Sequence, residues 1–169
     1  NRTEESMKMK RAVMRTDRYF EIGNVDNRLF GSFLEHMGRA VYEGIYQPES
    51  EFADEKGIRT DTSALIREMG VSTVRYPGGN FVSAYNWEDG VGPREKRPVR
   101  LEAAWQNLED NSFGTHEFAE WSGKNGIIPM MAVNLGTRGV EAAKNLLEYC
   151  NFPGGTYYSD LRIKHGFVR

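Results

Sequence analysis

The sequence predicts an α/β fold built on a parallel sheet. Three apolar runs have the continuous hydrophobic character of strands that are buried on both faces. Polar residues follow each run at its carboxyl end, and stretches with helical spacing lie between and after the runs. Ligands bind beyond the carboxyl ends of parallel strands, so this order predicts a site on one rim. The runs are 29–34, 70–74 and 127–133.

Length and composition limit the class of protein. With 169 residues, of which 39% are hydrophobic, the chain can bury one sizeable core, either as one domain or as part of a larger one. A net charge of −2 offers no basic surface for nucleic acid or an anionic membrane, so neither partner is expected. No apolar run approaches the roughly 18 residues that span a bilayer, and the N-terminal residues lack the charged-then-apolar order that is typical of a signal peptide. These features predict a soluble cytoplasmic protein.

The N-terminal region divides into two predicted parts. Residues 1–8 are polar and are interpreted as a cloning remnant or a disordered leader. Residues 9–26 are predicted to form a β-hairpin in which Thr16 and Asp17 turn the chain, although the glycine of the best two-residue turns is missing.

The first strand–helix–strand unit begins after this hairpin. The run 29–34 is the predicted strand, and it ends at Glu35. A helix capped near Thr60 follows, and Gly70 can end it in a left-handed conformation. Its apolar side is formed by Leu65, Ile66 and Met69.

Two further helices accompany the third strand. One opens at Gly114, carries Phe118 and Trp121, and leads into the run 127–133, which ends at Asn134. The other covers about 139–150. The intervening segment 77–113 is rich in Gly, Pro, charge and aromatic residues; loops of this length are usually functional or disordered, and the aromatics argue against disorder.

The number of units leaves two architectures open. Strand–helix units with polar strand ends suggest a (β/α)₈ barrel, which takes about 250 residues and eight strands, whereas three strands are visible here. Residues 27–169 would then be the first three βα units of a longer enzyme's barrel. A small open α/β sheet that is complete in itself is the alternative, and we favour the barrel portion.

Several residues are candidates for chemistry, each with a structural alternative. Glu35 could bind a ligand or pair with Arg39 or Arg75, and Asn80 could bind a ligand or simply turn the chain. Trp87 and Trp105 could be core residues, or they could offer an aromatic platform to a sugar ring. No helix begins at the Gly-Gly pair before Asn80, which excludes a nucleotide loop.

Metal and thiol chemistry are not expected. His116 and Glu120 share a helix face, but Glu120 stands where a His-Glu-x-x-His motif needs its second histidine. Three scattered histidines and one cysteine make no metal site. Cys150 lies in a helix-like apolar run and is interpreted as a small buried hydrophobe.

Four motifs in order resemble the bacterial α-L-arabinofuranosidases of glycoside hydrolase family 51. The resemblance extends over residues 9–158 and beyond, which is nearly the whole chain. The motifs are FGSFLEHMGRAVY at 30–42, RYPGGNF at 75–81, YNWEDGVGPR at 85–94 and AVNLGT at 132–137.

This resemblance implies a catalytic barrel with a β-sandwich domain, to which the hairpin would contribute, and often a homohexamer. Family members remove terminal non-reducing α-L-arabinofuranosyl residues from arabinan, arabinoxylan and oligosaccharides, without a cofactor. They retain the anomeric configuration by using two carboxyl groups about 5 Å apart, one as nucleophile and one as acid/base.

The resemblance also assigns roles to residues. Glu35 and Asn80 would bind hydroxyls of the arabinofuranose, Trp105 would contact the leaving-group sugar, and Arg75 would orient the nucleophile. The acid/base glutamate lies in a Gly-Asn-Glu motif, and no Asn-Glu pair occurs in this chain. Both catalytic glutamates are therefore expected beyond Arg169. The alternative function is a noncatalytic fragment that works only with a complementary C-terminal piece.

Overall fold

The computed structural model describes residues 11–168. Within them a three-stranded parallel sheet is packed against helices, and a separate two-stranded hairpin lies in the long segment after the second strand. The strands are β1 Ser32–Phe33, β2 Thr73–Tyr76, β3 Arg100–Leu101, β4 Leu108–Glu109 and β5 Ile128–Met131. The helices are α1 Thr60–Glu68, α2 Thr115–Lys124, α3 Gly139–Asn151 and α4 Tyr157–Lys164.

The sheet has the order β1-β2-β5, and both of its pairings are parallel. The predicted α/β class with a parallel sheet is therefore confirmed. The register places Phe33, Arg75 and Met130 side by side across the three strands. Successive side chains of a strand point to opposite faces, so this row lies on one face and its neighbours lie on the other.

One face of the sheet is covered by helices. Val74 and Tyr76 of β2 point to it and are 3% and 1% exposed. Tyr76 stacks on Phe118 of α2 with 4.3 Å between ring centroids, and Trp121 lies in the same core cluster. The predicted helix that carries Phe118 and Trp121 is thus confirmed, and both side chains pack into the core.

The opposite face is bare. Phe33, Ile128 and Met130 remain 48%, 54% and 51% exposed, and Arg75 lies among them. The apolar side predicted for α1 is also only partly used, because Ile66 packs on the core while Leu65 and Met69 are 61% and 76% exposed.

The ends of α1 agree with the prediction in one respect. Gly70 follows the helix with φ +70°, the left-handed conformation expected of it. At the start, however, Arg59 occupies the cap position, and Thr60 Oγ1 instead donates to the carbonyl of Phe52 at 2.8 Å.

The predicted hairpin over 9–26 is not formed in the described residues, because no strand occurs in 11–26. Instead, Asp17 Oδ1 accepts from the Tyr19 amide at 2.9 Å and begins a single 3₁₀ turn, Arg18–Phe20. A two-stranded hairpin without a covering layer is marginally stable, and the apolar residues of this segment are exposed. Residues 1–8, predicted as a leader, lie outside the described residues.

The first predicted strand is also shorter than expected. Asp26 Oδ1 accepts from the Arg28 amide at 2.8 Å and starts the 3₁₀ turn Asn27–Phe30, so the run 29–34 forms a strand only at β1. The end predicted at Glu35 is nearly correct.

The long segment after β2 is folded onto the helices. It contains the 3₁₀ turns Phe81–Ala84, Trp87–Gly90 and Arg94–Lys96 and the hairpin β3–β4. Trp87 is a core residue, since its Nε1 donates to the carbonyl of Ala142 at 3.1 Å. Cys150 packs against the same cluster, and burial raises the pKa of its thiol to about 11. No helix within 11–168 has the length and apolar character to cross a membrane.

Candidate functional site

The candidate site lies where β1 and β2 end. Pairing continues for two residues past β1, because the Leu34 amide donates to the carbonyl of Arg75 at 2.8 Å and the His36 amide to that of Pro77 at 3.3 Å. Glu35 lies between these two bonds. The backbone thus holds Glu35 against the loop that follows β2, and we call Glu35, Arg75 and Asn80 the strand-end rim.

Glu35 is held by the backbone of that loop. Its side chain is buried, and Oε1 accepts from the Phe81 amide at 2.9 Å. Gly78 makes this approach possible, because a Cβ at that position would lie 2.3 Å from Glu35 Cγ, and φ there is +122°. Only glycine fits both the conformation and the space.

The second oxygen of Glu35 and the guanidinium of Arg75 face the same small space. A Cβ on Gly79 would lie 3.6 Å from Glu35 Oε2 and 3.7 Å from Arg75 Nη2. The two groups are nevertheless not within ion-pair distance, and Arg39 pairs with Glu43 at 2.8 Å. The interpretation of Glu35 as an ion-pair partner of Arg39 or Arg75 is therefore wrong in this structure.

Arg75 is a cation without a carboxylate partner among residues 11–168. Its guanidinium carbon lies 4.7 Å from the centroid of the Phe33 ring, and the side chain is exposed on the bare face of the sheet. An arginine offers five N–H donors in a planar fork that matches a carboxylate. The arrangement can therefore receive a carboxylate that approaches from that face.

Asn80 lies on the loop that follows β2. It is exposed and precedes the turn Phe81–Ala84, but its side chain does not cap that turn. An amide in this position can both donate and accept a hydrogen bond. The structure thus brings these residues to the carboxyl-end edge of the sheet, with Glu35 after β1, Arg75 within β2 and Asn80 on the loop that follows β2.

Trp105 lies on the loop between β3 and β4, apart from the rim. The Glu102 carboxylate accepts from the amides of Ala104 at 2.7 Å and Trp105 at 2.6 Å, which fixes the loop. The side chain is half-buried, and its Nε1 is buried without a hydrogen-bond partner. In the described part of the chain, no hydrogen bond or ring contact joins Trp105 to the strand-end rim.

A buried polar network beside the rim was missed at the level of sequence. His36 Nδ1 lies 2.9 Å from Glu109 Oε2, and His36 Nε2 lies 2.7 Å from the Tyr76 hydroxyl. Glu109 Oε1 accepts from the Asn111 amide at 2.8 Å and from the Tyr42 hydroxyl. We call these five residues the Glu109 network. No local pattern marked Glu109, because it meets His36 across 73 positions of sequence.

The tyrosines of this network stay protonated. Burial, reinforced by the charge of Glu109, raises the pKa of Tyr42 far above its usual range, and burial does the same for Tyr76. Both phenols are therefore hydrogen-bond donors at neutral pH.

The remaining polar candidates have structural partners. Asn134 Nδ2 donates to the carbonyl of Tyr85 at 3.0 Å and fastens the loop after β5. His116 Nε2 meets the Tyr149 hydroxyl at 2.5 Å, whereas Glu120 pairs with Lys56, so the apparent metal pattern is not assembled. Within 11–168 no three His, Cys, Asp or Glu side chains converge as metal ligands.

Solved structures resemble this arrangement closely. A family 51 α-L-arabinofuranosidase of Bifidobacterium longum, AbfB, matches with a TM-score of 0.84 and 55% identity over 85% of this chain and 28% of its own. The Thermotoga maritima α-L-arabinofuranosidase in its arabinose complex matches with a TM-score of 0.80 and 48% identity, over 82% of this chain and 29% of its own.

Curated relatives give the same result. The Bacillus subtilis intracellular exo-α-(1→5)-L-arabinofuranosidase 1 is 60% identical over 159 residues, which is 94% of this chain and 32% of the relative. An exo-α-(1→6)-L-arabinofuranosidase of Bifidobacterium longum is 58% identical over 89% of this chain and 29% of its own length. The chain thus spans about a third of these relatives.

A family model confirms the assignment independently. The model described as the alpha-L-arabinofuranosidase 1 domain matches residues 65–169, which is more than half of the chain. The match begins inside α1 and includes β2, the loop with Asn80 and every later element. This chain belongs to the α-L-arabinofuranosidases of glycoside hydrolase family 51.

Proposed function

We propose that the chain supplies the sugar-binding part of an exo-acting, retaining α-L-arabinofuranosidase. The substrates would be terminal non-reducing α-L-arabinofuranosyl residues of arabinan, arabinoxylan and related oligosaccharides. The observation that carries this proposal is the strand-end rim, where a carboxylate after β1, a guanidinium of β2 and an amide on the loop after β2 lie at one edge of the sheet. Family membership supports arabinofuranose as the sugar that is bound. The strand-end rim supports the location of the binding site.

Glu35 and Asn80 would bind hydroxyls of the furanose. Phe81 holds one oxygen of Glu35, and the other faces the space beside Gly79, where it can accept from a sugar hydroxyl. Asn80 is exposed beside it and can donate as well as accept. Both residues would act by orienting the ring, so Glu35 is not the catalytic carboxylate in this proposal.

Arg75 would hold the nucleophile. A cation within about 4–6 Å favours the ionised form of a carboxylate, and Arg75 forms no ion pair within residues 11–168, so its guanidinium is available to a carboxylate from elsewhere. We assign the nucleophile and acid/base glutamates to sequence beyond Arg169, so the rest of the enzyme would complete the site. Double displacement through a glycosyl-enzyme then follows with two carboxyl groups about 5 Å apart, and it needs no cofactor.

Trp105 would contact the leaving-group sugar. Its indole is half-buried on a loop that Glu102 fixes, and aromatic faces suit the apolar face of a sugar ring.

The relatives from Bacillus subtilis and Halalkalibacterium halodurans are named intracellular enzymes, so we infer that this protein also works in the cytoplasm. We also propose that the full enzyme closes a (β/α)₈ barrel, carries a β-sandwich domain and assembles as a homohexamer.

A noncatalytic fragment is the second candidate. The observation that favours it is the bare face of the sheet, where Phe33, Ile128 and Met130 are each about half exposed. Such a face requires a covering partner. In this case the chain alone is inactive and functions only with a complementary C-terminal piece.

The test is a chimera in which this chain replaces the matching first third of the Bacillus subtilis relative. The chimera should hydrolyse 4-nitrophenyl α-L-arabinofuranoside with retention, whereas the isolated chain should not, since binding residues cannot replace the bond-breaking groups. Asn80→Ala in the chimera should lower kcat/KM by about 10- to 100-fold, through the loss of one or two hydrogen bonds to the sugar.

Asn24→Ala is the matched control, since Asn24 is also exposed but lies in the N-terminal segment. It should leave kcat/KM unchanged. A folded but inactive chimera would contradict the proposed activity. Turnover by the purified chain alone would contradict the assignment of the catalytic glutamates, and an unchanged kcat/KM in Asn80→Ala would remove Asn80 from the site.

A further inference from the structure

The Glu109 network connects the hairpin β3–β4 to the strand-end rim. Glu109 ends β4, and His36 directly follows Glu35 in sequence. Both side chains are buried, with residue exposures of 5% for Glu109 and 7% for His36. A buried carboxylate is costly unless its hydrogen bonds are complete, so the partners of Glu109 indicate what it holds in place.

The carboxylate of Glu109 fixes the orientation of the His36 ring. A carboxylate can only accept, so the His36 nitrogen at 2.9 Å, Nδ1, must carry a proton. His36 Nε2 lies 2.7 Å from the Tyr76 hydroxyl, which also donates to the carbonyl of Phe113 at 3.3 Å. With both nitrogens engaged, the ring cannot flip without losing two hydrogen bonds.

The oriented ring in turn supports the loop that holds Glu35. His36 stacks on Phe81 with 4.4 Å between centroids and 13° between the ring planes. Phe81 is 1% exposed, and its amide is the donor to Glu35 Oε1 at 2.9 Å. A continuous set of contacts therefore runs from Glu109 through His36 and Phe81 to Glu35.

We infer that Glu109 and His36 are positioning residues that hold the Glu35 carboxylate in place for the sugar through the ring and amide of Phe81. This inference rests on the proposed function, in which Glu35 binds the furanose. Glu109 also ends the hairpin whose loop carries Trp105, so one carboxylate fixes both sides of the proposed sugar site. Displacement of a binding group by about 1 Å can cost 100-fold in rate.

The experiment uses the active chimera and compares two single variants. Glu109→Gln keeps the size of the side chain but replaces one acceptor oxygen with a donor, and His36→Phe keeps the ring on Phe81 but loses both hydrogen bonds. Each should lower kcat/KM by about 10- to 100-fold. The double variant should lose no more than the larger single loss, because both act through one contact.

A second cycle separates positioning from general damage. In a Glu35→Gln background, assayed at high enzyme concentration with long incubation, Glu109→Gln should lower kcat/KM by less than twofold. His116→Phe is the matched control, since His116 is likewise buried and hydrogen-bonded to a tyrosine but makes no contact with the strand-end rim. It should leave kcat/KM unchanged at a temperature where the variant is folded.

Tyr42→Phe is the milder variant if the others do not fold. It removes one hydroxyl from Glu109 and leaves the Asn111 amide on the same oxygen. We expect a two- to fivefold loss of kcat/KM, about 0.4–1 kcal/mol, that disappears in Glu35→Gln. An unchanged kcat/KM in these variants, or an equal loss in the Glu35→Gln background, would overturn the inference. An inactive parent chimera would instead contradict the proposed function.

Discussion

The two faces of the parallel sheet differ in the same four-residue strand. Val74 and Tyr76 point into the helix layer and are 3% and 1% exposed, whereas Arg75 between them is exposed. Its neighbours across the sheet, Phe33 and Met130, are about half exposed as well. One face is completed by this chain, and the other has no covering layer among residues 11–168.

This difference predicts that substitutions on the two faces have different effects. The covered face contains stacked aromatic rings and a continuous apolar core, so substitutions there should act mainly on folding. The bare face and the adjoining rim contain Arg75, Glu35 and Asn80, and substitutions there should act mainly on sugar binding. The predictions below test the stability side of the comparison.

The largest effect is expected on the covered face. Phe118 is 0% exposed and stacks on Tyr76, so Phe118→Ala should lower the free energy of unfolding by about 3–5 kcal/mol. Urea denaturation of the 169-residue chain, followed by circular dichroism, measures it. Leu65→Ala on the exposed side of α1 is the control, with an expected change within about 0.5 kcal/mol. Equal losses in both variants would contradict the division between the faces.

A smaller effect should appear with pH in the helix layer. Burial lowers the pKa of His116 from 6.5 to about 4. The unfolded chain therefore binds more protons between these values, and stability should fall as the pH falls from 7 to 4.5, by about 2–3 kcal/mol from this group. Urea denaturation at several pH values measures it.

His116→Gln is the matched variant for this pH dependence. It keeps a polar partner for Tyr149 but cannot titrate, so its stability should decline less between pH 7 and 4.5. Two neighbouring groups titrate in both proteins, so the comparison isolates His116: burial raises the pKa of Glu117 but hydrogen bonds from Arg97 outweigh that and lower it, and burial lowers the pKa of His165. An identical pH dependence in both proteins would show that His116 is not the buried neutral group described here.

The smallest effect is expected on the bare face. Met130 is 51% exposed, so Met130→Thr should change the free energy of unfolding of the chain by no more than about 0.5 kcal/mol. The same urea experiment measures it. A loss of 2 kcal/mol or more would mean that this face is covered in solution, for example by a second copy, and would break the comparison.

Much of the fold follows from local pattern. The continuous apolar runs predicted β2 and β5, the spacing of Phe118 and Trp121 predicted α2, and Gly70 predicted the end of α1. The predicted N-terminal hairpin does not form within residues 11–26, where Asp17 and Asp26 each accept a backbone amide two residues ahead and start a 3₁₀ turn. The alternation of apolar and polar residues does not show that an aspartate side chain competes with a neighbouring strand for the backbone amides.

The candidate site was predictable only in part. Glu35 and Arg75 directly follow apolar runs and Asn80 lies shortly after the second run, so the polar ends of these runs identified them. Glu109 could not be found in this way, since its role depends on a contact with a residue 73 positions away. The two tryptophans show the same limit: Trp87 is a core residue that donates to Ala142, which local composition did not distinguish from Trp105.

The register of β2 carries a consequence for the proposed site. Side chains alternate with a period of two, so a slip of one residue against β1 and β5 would exchange the directions of Val74 and Arg75. The guanidinium would then be sealed among the aromatic rings, and a valine would take its place on the bare face. Correct strand alignment is thus itself a condition of the proposed sugar site, which a misaligned molecule would lack even with every side chain unaltered.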